Sequence, residues 1–157
     1  MDGHFKEVEP KADELSDAMR SAIEFLGGRK HWNGTVRGLA GLISRSFSID
    51  SIGVVKDGVL IFRETLKFDN GETQDREWQL FETPHGIAVE GDDITLVQYG
   101  KIDNGALHIT YRVKFGAQTF TYRDVFKRGS DSDVYNEGHA SLLGLPVMKI
   151  IANGAAT

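Results

Sequence analysis

The sequence contains no cysteine. That excludes disulfide frameworks, thiolate nucleophiles and cysteine metal sites, and it fits a reducing compartment. No apolar run approaches the roughly 20 residues of a membrane helix. The start, Met1-Asp2-Gly3-His4-Phe5-Lys6-Glu7, lacks the basic-then-apolar layout of a signal peptide. A cytoplasmic chain without membrane insertion is therefore expected. A basic excess is also missing: 18 Lys+Arg stand against 23 Asp+Glu, a formal net charge of −5. Nucleic-acid binders usually carry the opposite balance.

Several chemical signatures are missing too. No two of the five histidines, His4, His31, His85, His108 and His139, lie at i, i+2 or i, i+4 with a suitable carboxylate, so no metal site is expected. Ser44 lies in Gly-Leu-Ile-Ser-Arg-Ser, which is not the order of a nucleophile elbow. No stretch matches a phosphate loop or a dinucleotide fingerprint, and no cofactor is expected. His139, in a late strand, could be a proximal haem ligand in a barrel. Asn33-Gly34-Thr35 matches a glycosylation pattern, which without a secretory signal reads as chance.

What remains is ordinary globular material. The chain has 157 residues, 40% hydrophobic and 26% charged, which suits one domain with a proper core. Residues 1–10 read as a loose tail and 11–157 as the folded domain. Leu15, Met19, Ala22 and Leu26 make an apolar stripe at helical spacing, with acids at Asp13 and Glu14 and a stop at Gly27-Gly28. A helix over 11–26 is expected, packed across a larger body. A membrane-surface helix is disfavoured, because its polar face is mixed in sign.

After Gly28 the period changes to two. Strands are expected over 35–42, 46–55, 59–68, 73–81, 86–89, 94–101, 106–115, 118–128, 133–140 and 145–151. Between them lie turn signals at Lys56-Asp57-Gly58, Asp69-Asn70-Gly71, Asp103-Asn104-Gly105 and Gly116-Ala117. So long a meander would leave two bare edges unless it closed. The expected fold is all-β: an antiparallel lipocalin-like barrel of eight to ten strands with an N-terminal helix.

Turn chemistry fixes register, and register decides which side chains share a face. A three-residue Asp69-Asn70-Gly71 loop opposes Glu64 to Arg76, Phe62 to Trp78 and Leu60 to Leu80. A two-residue loop would oppose Glu64 to Glu77, an unfavourable like-charge pair. Glu64 and Arg76 are thus expected as a cross-strand ion pair on the inner face. A two-residue Gly116-Ala117 loop opposes Tyr111 to Tyr122, Ile109 to Asp124 and Leu107 to Phe126. A three-residue Asp103-Asn104-Gly105 loop sets Tyr99, Val97 and Thr95 against Ile109, Tyr111 and Val113. His31-Trp32 is placed before the first strand, with Trp32 plugging a barrel end.

Inward charge is costly unless paired, so Glu64, Arg76 and Asp124 require a reason. Three remain open. The readings are that they satisfy one another as structural plugs, that they form the polar end of a ligand cavity, or that they serve as a catalytic acid or base.

The stretch from Phe68 to Trp78, an aromatic, an acidic-Gly-Glu turn and then Arg-x-Trp, resembles a segment of a bacterial family of unknown function with a lipocalin-like (calycin) barrel. Gly41-Leu42-Ile43-Ser44-Arg45-Ser46-Phe47, Gly105-Ala106-Leu107, Asp124 and Asp133-Val134-Tyr135-Asn136 are similar to further parts of it. Many members look like exported lipoproteins, whereas this chain has no lipid-acceptor cysteine. The resemblance implies a barrel and a small apolar ligand.

The expected function is binding of a small, apolar or amphipathic molecule in the barrel. Glu64, Arg76 and Asp124 would supply polar contacts, and Phe62, Trp78, Tyr111 and Tyr122 the walls. The alternatives are an isomerase, hydrolase or decarboxylase of a small acid in the same cavity, or a filled barrel acting as an interaction module. The sequence specifies neither ligand nor oligomeric state.

Overall fold

The computed structural model describes residues 15–38, 41–92, 94–96, 98–115 and 117–157. The expected tail over residues 1–10 and the stretch 11–14 lie outside the described residues. Helix α1 spans Asp17–Leu26. It starts later than the apolar stripe suggested because Ser16 caps it: the Ser16 hydroxyl accepts from the Met19 N–H at 3.1 Å. The Ser16 N–H in turn donates to Glu82 at 2.7 Å, tying the helix start to the barrel.

Among the described residues eleven strand segments follow: β1 (Gly28–Gly38), β2 (Ile43–Lys56), β3 (Val59–Phe68), β4 (Thr73–Thr83), β5 (Gly86–Gly91), β6 (Ile94–Leu96), β7 (Gln98–Asp103), β8 (Ala106–Phe115), β9 (Gln118–Arg128), β10 (Val134–Leu142) and β11 (Leu145–Ala156). All pairings between them are antiparallel. Segments β6 and β7 lie along the same edge of β8 and act as one strand broken in the middle. Pairing of β8 with β9, and of β1 with β11, closes a ten-strand barrel. Closure removes the bare edges that a meander of this length would otherwise expose.

Helix α1 lies across one end of the barrel, touching β2–β5 and β7–β9. It buries Met19, Ala22, Phe25 and Leu26 there. The other end carries the β3–β4 and β10–β11 connections. No helix among the described residues is long and apolar enough to cross a membrane.

The β3–β4 hairpin has the three-residue loop its sequence dictates. Gly71 takes φ +90° and donates its N–H to the Phe68 carbonyl. Phe68 and Glu72 close the ladder, and Glu64 stands opposite Arg76. The β8–β9 register opposes Tyr111 to Tyr122 and Ile109 to Asp124, as expected; Gly116 of the expected Gly116-Ala117 loop lies outside the described residues.

Two expectations fail. Strand β1 begins at Gly28 rather than at 35, so His31 and Trp32 lie inside it. Trp32 is buried, donates its indole N–H to Ser51 Oγ at 3.0 Å and meets Phe126 edge-on at 6.3 Å. The β7–β8 connection is a two-residue turn, because Asn104 and Gly105 both adopt positive φ. Asp103 therefore pairs with Ala106, and Gly100, not Tyr99, faces Ile109. Further along, Ile94 rather than Thr95 faces Val113.

Candidate functional site

Alternation along each strand turns one set of side chains into the barrel. They do not fill it. A cavity of about 410 Å³ runs through the interior, within the range of roughly 300–1,000 Å³ usual for small-molecule sites. Glu64, Arg76, Asp124, Trp78, Phe62, Tyr111 and Tyr122, the seven residues singled out by register, all line it. Three of the aromatics form a continuous wall. Trp78 meets Tyr111 edge-on with centroids 4.8 Å apart, and Tyr111 stacks on Tyr122 at 5.5 Å with an interplanar angle of 11°.

Sequence reasoning missed other parts of the lining. Gln74 and Asn136 add polar groups, while Met148, Ile150 and Ala152 of β11 form an apolar wall. The alternation of those three was visible in the sequence. No turn fixed the register of β11 against β1, so their face could not be assigned.

Asp124 is 8% exposed and satisfied by its neighbours. The Tyr111 hydroxyl donates to Asp124 Oδ2 at 2.5 Å. Asn136 lies beside it and also donates Nδ2–H to the Val125 carbonyl at 3.2 Å. Burial pushes the Asp124 carboxyl up to about 6, opposed by the bonds from Tyr111 and Asn136 and by the charges of Arg76 and His139. Burial, reinforced by Asp124, holds the Tyr111 hydroxyl well above its ordinary value. Tyr122 is raised by burial and Asp124 against the pull of Arg76.

The expected ion pair between Glu64 and Arg76 is not formed. Their backbones are directly opposed, yet no contact of 4.0 Å or less joins the two charged groups among the described residues. Arg76 turns along its own strand, where Nη2 donates to Gln74 Oε1 at 3.3 Å. Residues two apart share a strand face, so this contact competes with the cross-strand one. Arg76 Nε is buried and has no hydrogen-bond partner. Burial raises Glu64 to about 7; the charge of Arg76 opposes this and that of Asp124 adds to it.

Gly138 of β10 faces Asp124 across the β9–β10 ladder. A Cβ there would lie 2.5 Å from Asp124 Oδ1 and 3.6 Å from Ile150 Cβ. Gly138→Ala must therefore shift the carboxylate, whose other oxygen accepts from Tyr111. The expected cost is about 1–3 kcal/mol, the range for overpacking a fitted interior, and urea unfolding measures it. A variant as stable as wild type would show that this corner of the cavity is slack.

His139 lies on the outer face, between inward Gly138 and Ala140, and contacts Glu137 at 3.0 Å. This placement removes the haem reading. Among the described residues no group of three or more His, Asp or Glu side chains could hold a metal ion.

The chain belongs to a protein family of unknown function, DUF3833, which it matches over residues 5–153. Its fold is similar to that of the S-type phycobiliprotein lyase CPES from Guillardia theta. That similarity has a TM-score of 0.64 and 9% identity, and covers 98% of this chain and 97% of the lyase. Rv2717c from M. tuberculosis is similar at a TM-score of 0.58 and 9% identity, over 92% of this chain and 99% of the other. No curated protein matches the sequence. At such identities the likeness concerns the fold.

Proposed function

We propose that the barrel interior reversibly binds one small, mostly apolar molecule. The observation that carries this reading is the cavity itself: about 410 Å³, walled by aromatic and aliphatic side chains, with Glu64, Arg76 and Asp124 converging on it. A barrel serving only as a structural or interaction module has no use for an unfilled centre, since voids cost stability. Trp78, Tyr111, Tyr122 and Phe62 are the walls, and the three charged residues supply the polar contacts.

The test is a titration with the neutral fluorophore N-phenyl-1-naphthylamine. Trp32 and Trp78, the two tryptophans of the sequence, both line the cavity. Tryptophan emission should be quenched saturably, at one probe per chain. Unchanged emission at tens of micromolar would overturn the proposal.

A second reading has one specific observation behind it. The Tyr111–Asp124 hydrogen bond, at 2.5 Å, reaches the cavity beside Arg76. Such a pair could move a proton to or from a bound small acid. One structural neighbour is by its name a lyase, so chemistry in a barrel of this shape has a precedent. Turnover of a bound acid, lost in Asp124→Asn with binding retained, would favour this reading over simple binding.

A further inference from the structure

Arg76 is the anomaly of the cavity. Arg76 is half-buried with its Nε enclosed, and a cation so placed normally has an anionic partner, because desolvation costs more than partial hydrogen bonding returns. Two carboxyl groups share the cavity with it and feel its charge, yet neither makes a close ion pair with it among the described residues. Asp124 is engaged by Tyr111 and Asn136. Glu64, although directly opposite, makes no ion pair with it. One guanidinium N–H goes to the neutral Gln74, and the buried Nε–H goes to nothing. An acceptor from outside the chain would satisfy the Nε–H that no group of the chain reaches.

We infer that the ligand is an organic acid whose single carboxylate sits on Arg76 while its apolar body lies among Trp78, Tyr111 and Tyr122. This rests on the reading of the interior as a binding cavity. A guanidinium presents its donors as a planar fork that matches a carboxylate. Glu64 and Asp124 share the chamber, and their negative charge disfavours a group of higher charge such as a phosphate dianion. In its protonated form Glu64 donates a hydrogen bond to the same head group instead of repelling it. The aromatic wall suits a flat or chain-like body without further charge.

The experiment compares an acid with its neutral isostere. At about pH 6, below the value near 7 to which burial raises Glu64, 2-naphthoate and 2-naphthamide compete against bound N-phenyl-1-naphthylamine. Wild type should prefer the acid by about tenfold or more, the amount expected of a desolvated charge-assisted contact. In Arg76→Gln the preference should vanish, and Arg76→Lys should restore part of it. The ratio of the two competitors is internal to each protein, so a change in probe affinity does not enter. Equal displacement of the probe from wild type, or a preference that survives Arg76→Gln, overturns the inference while leaving the cavity reading intact. Failure of the probe to bind wild type removes both.

Discussion

Raising the pH from about 4.5 to about 7.5 is expected to weaken the empty, folded barrel by about 2–3 kcal/mol through Glu64 alone, at ~1.36 kcal/mol per tenfold change in proton affinity. Burial lifts Glu64 from 4.5 to about 7 and Asp124 from 3.8 to about 6. The folded state thus holds both protons more tightly than the unfolded chain does. That contribution is complete below about pH 4 and lost as the pH rises through the folded values. Asp50 is held below its ordinary value by the bond with His31, and Glu137 by the bonds with His139 and Tyr135. Their contribution is present above the unfolded values and disappears only in more acidic solution, so the two windows separate. Urea unfolding at about pH 5 and pH 7.5 should show wild type losing stability, and Glu64→Gln losing distinctly less. A wild-type barrel indifferent to pH across this window would mean that Glu64 is not held in a desolvated chamber.

The second large effect is on binding. Ile150 of β11 lines the cavity and pairs with Val36 and Gly138. Ile150→Trp projects an indole into the open space, which offers it room without prying strands apart. Affinity for N-phenyl-1-naphthylamine should fall by about tenfold or more, at least ~1.4 kcal/mol, while far-ultraviolet circular dichroism stays that of the barrel. Leu143→Ser provides the contrast: Leu143 is 95% exposed at the β10–β11 turn, and probe binding should not change. Equal loss in both variants, or none in Ile150→Trp, would place the probe on the outside.

How far the sequence reveals this site depends on which turns declare themselves. Asp69-Asn70-Gly71 declares both length and left-handed position. From it the opposition of Glu64 and Arg76, and of Phe62 and Trp78, follows by counting. Gly116-Ala117 does the same for Tyr111, Tyr122 and Asp124. Asp103-Asn104-Gly105 has the same kind of composition but a different geometry, because Asn104 as well as Gly105 turns left-handed and Asp103 joins the ladder. Composition does not decide between the two loops; the facing strands do. The start of β1 was illegible for a related reason. Arg29 and Lys30 carry no strand signal, and pairing with Ile52 and Ser51 of β2 and with Ala156 of β11 holds them extended. The Glu64–Arg76 pair marks a further limit. Register sets backbones opposite one another, but the rotamer that turns Arg76 to Gln74 belongs to side-chain packing, on which alternation is silent.

The same limit gives Arg76 its meaning. A sequence pattern that opposes an acid and a base reads as a closed structural pair. The open geometry makes it a site, because an unsatisfied buried donor costs about 1–3 kcal/mol and an added acceptor recovers that cost. Arg76→Met should accordingly leave the empty barrel no less stable than wild type in urea unfolding, whereas a closed buried pair would lose several kcal/mol on truncation.

The central claim, that a small molecule binds inside the barrel, is tested most directly by methyl-resolved NMR of the protein saturated with N-phenyl-1-naphthylamine. The methyl resonances of Leu66, Leu80, Val89, Ile109 and Ile150, which line the cavity, should move together along one binding curve. Those of Leu42, Leu143 and Leu145, exposed at the opposite end from α1, should stay in place. Movement confined to the exposed leucines, or no movement at saturating probe, would contradict the account.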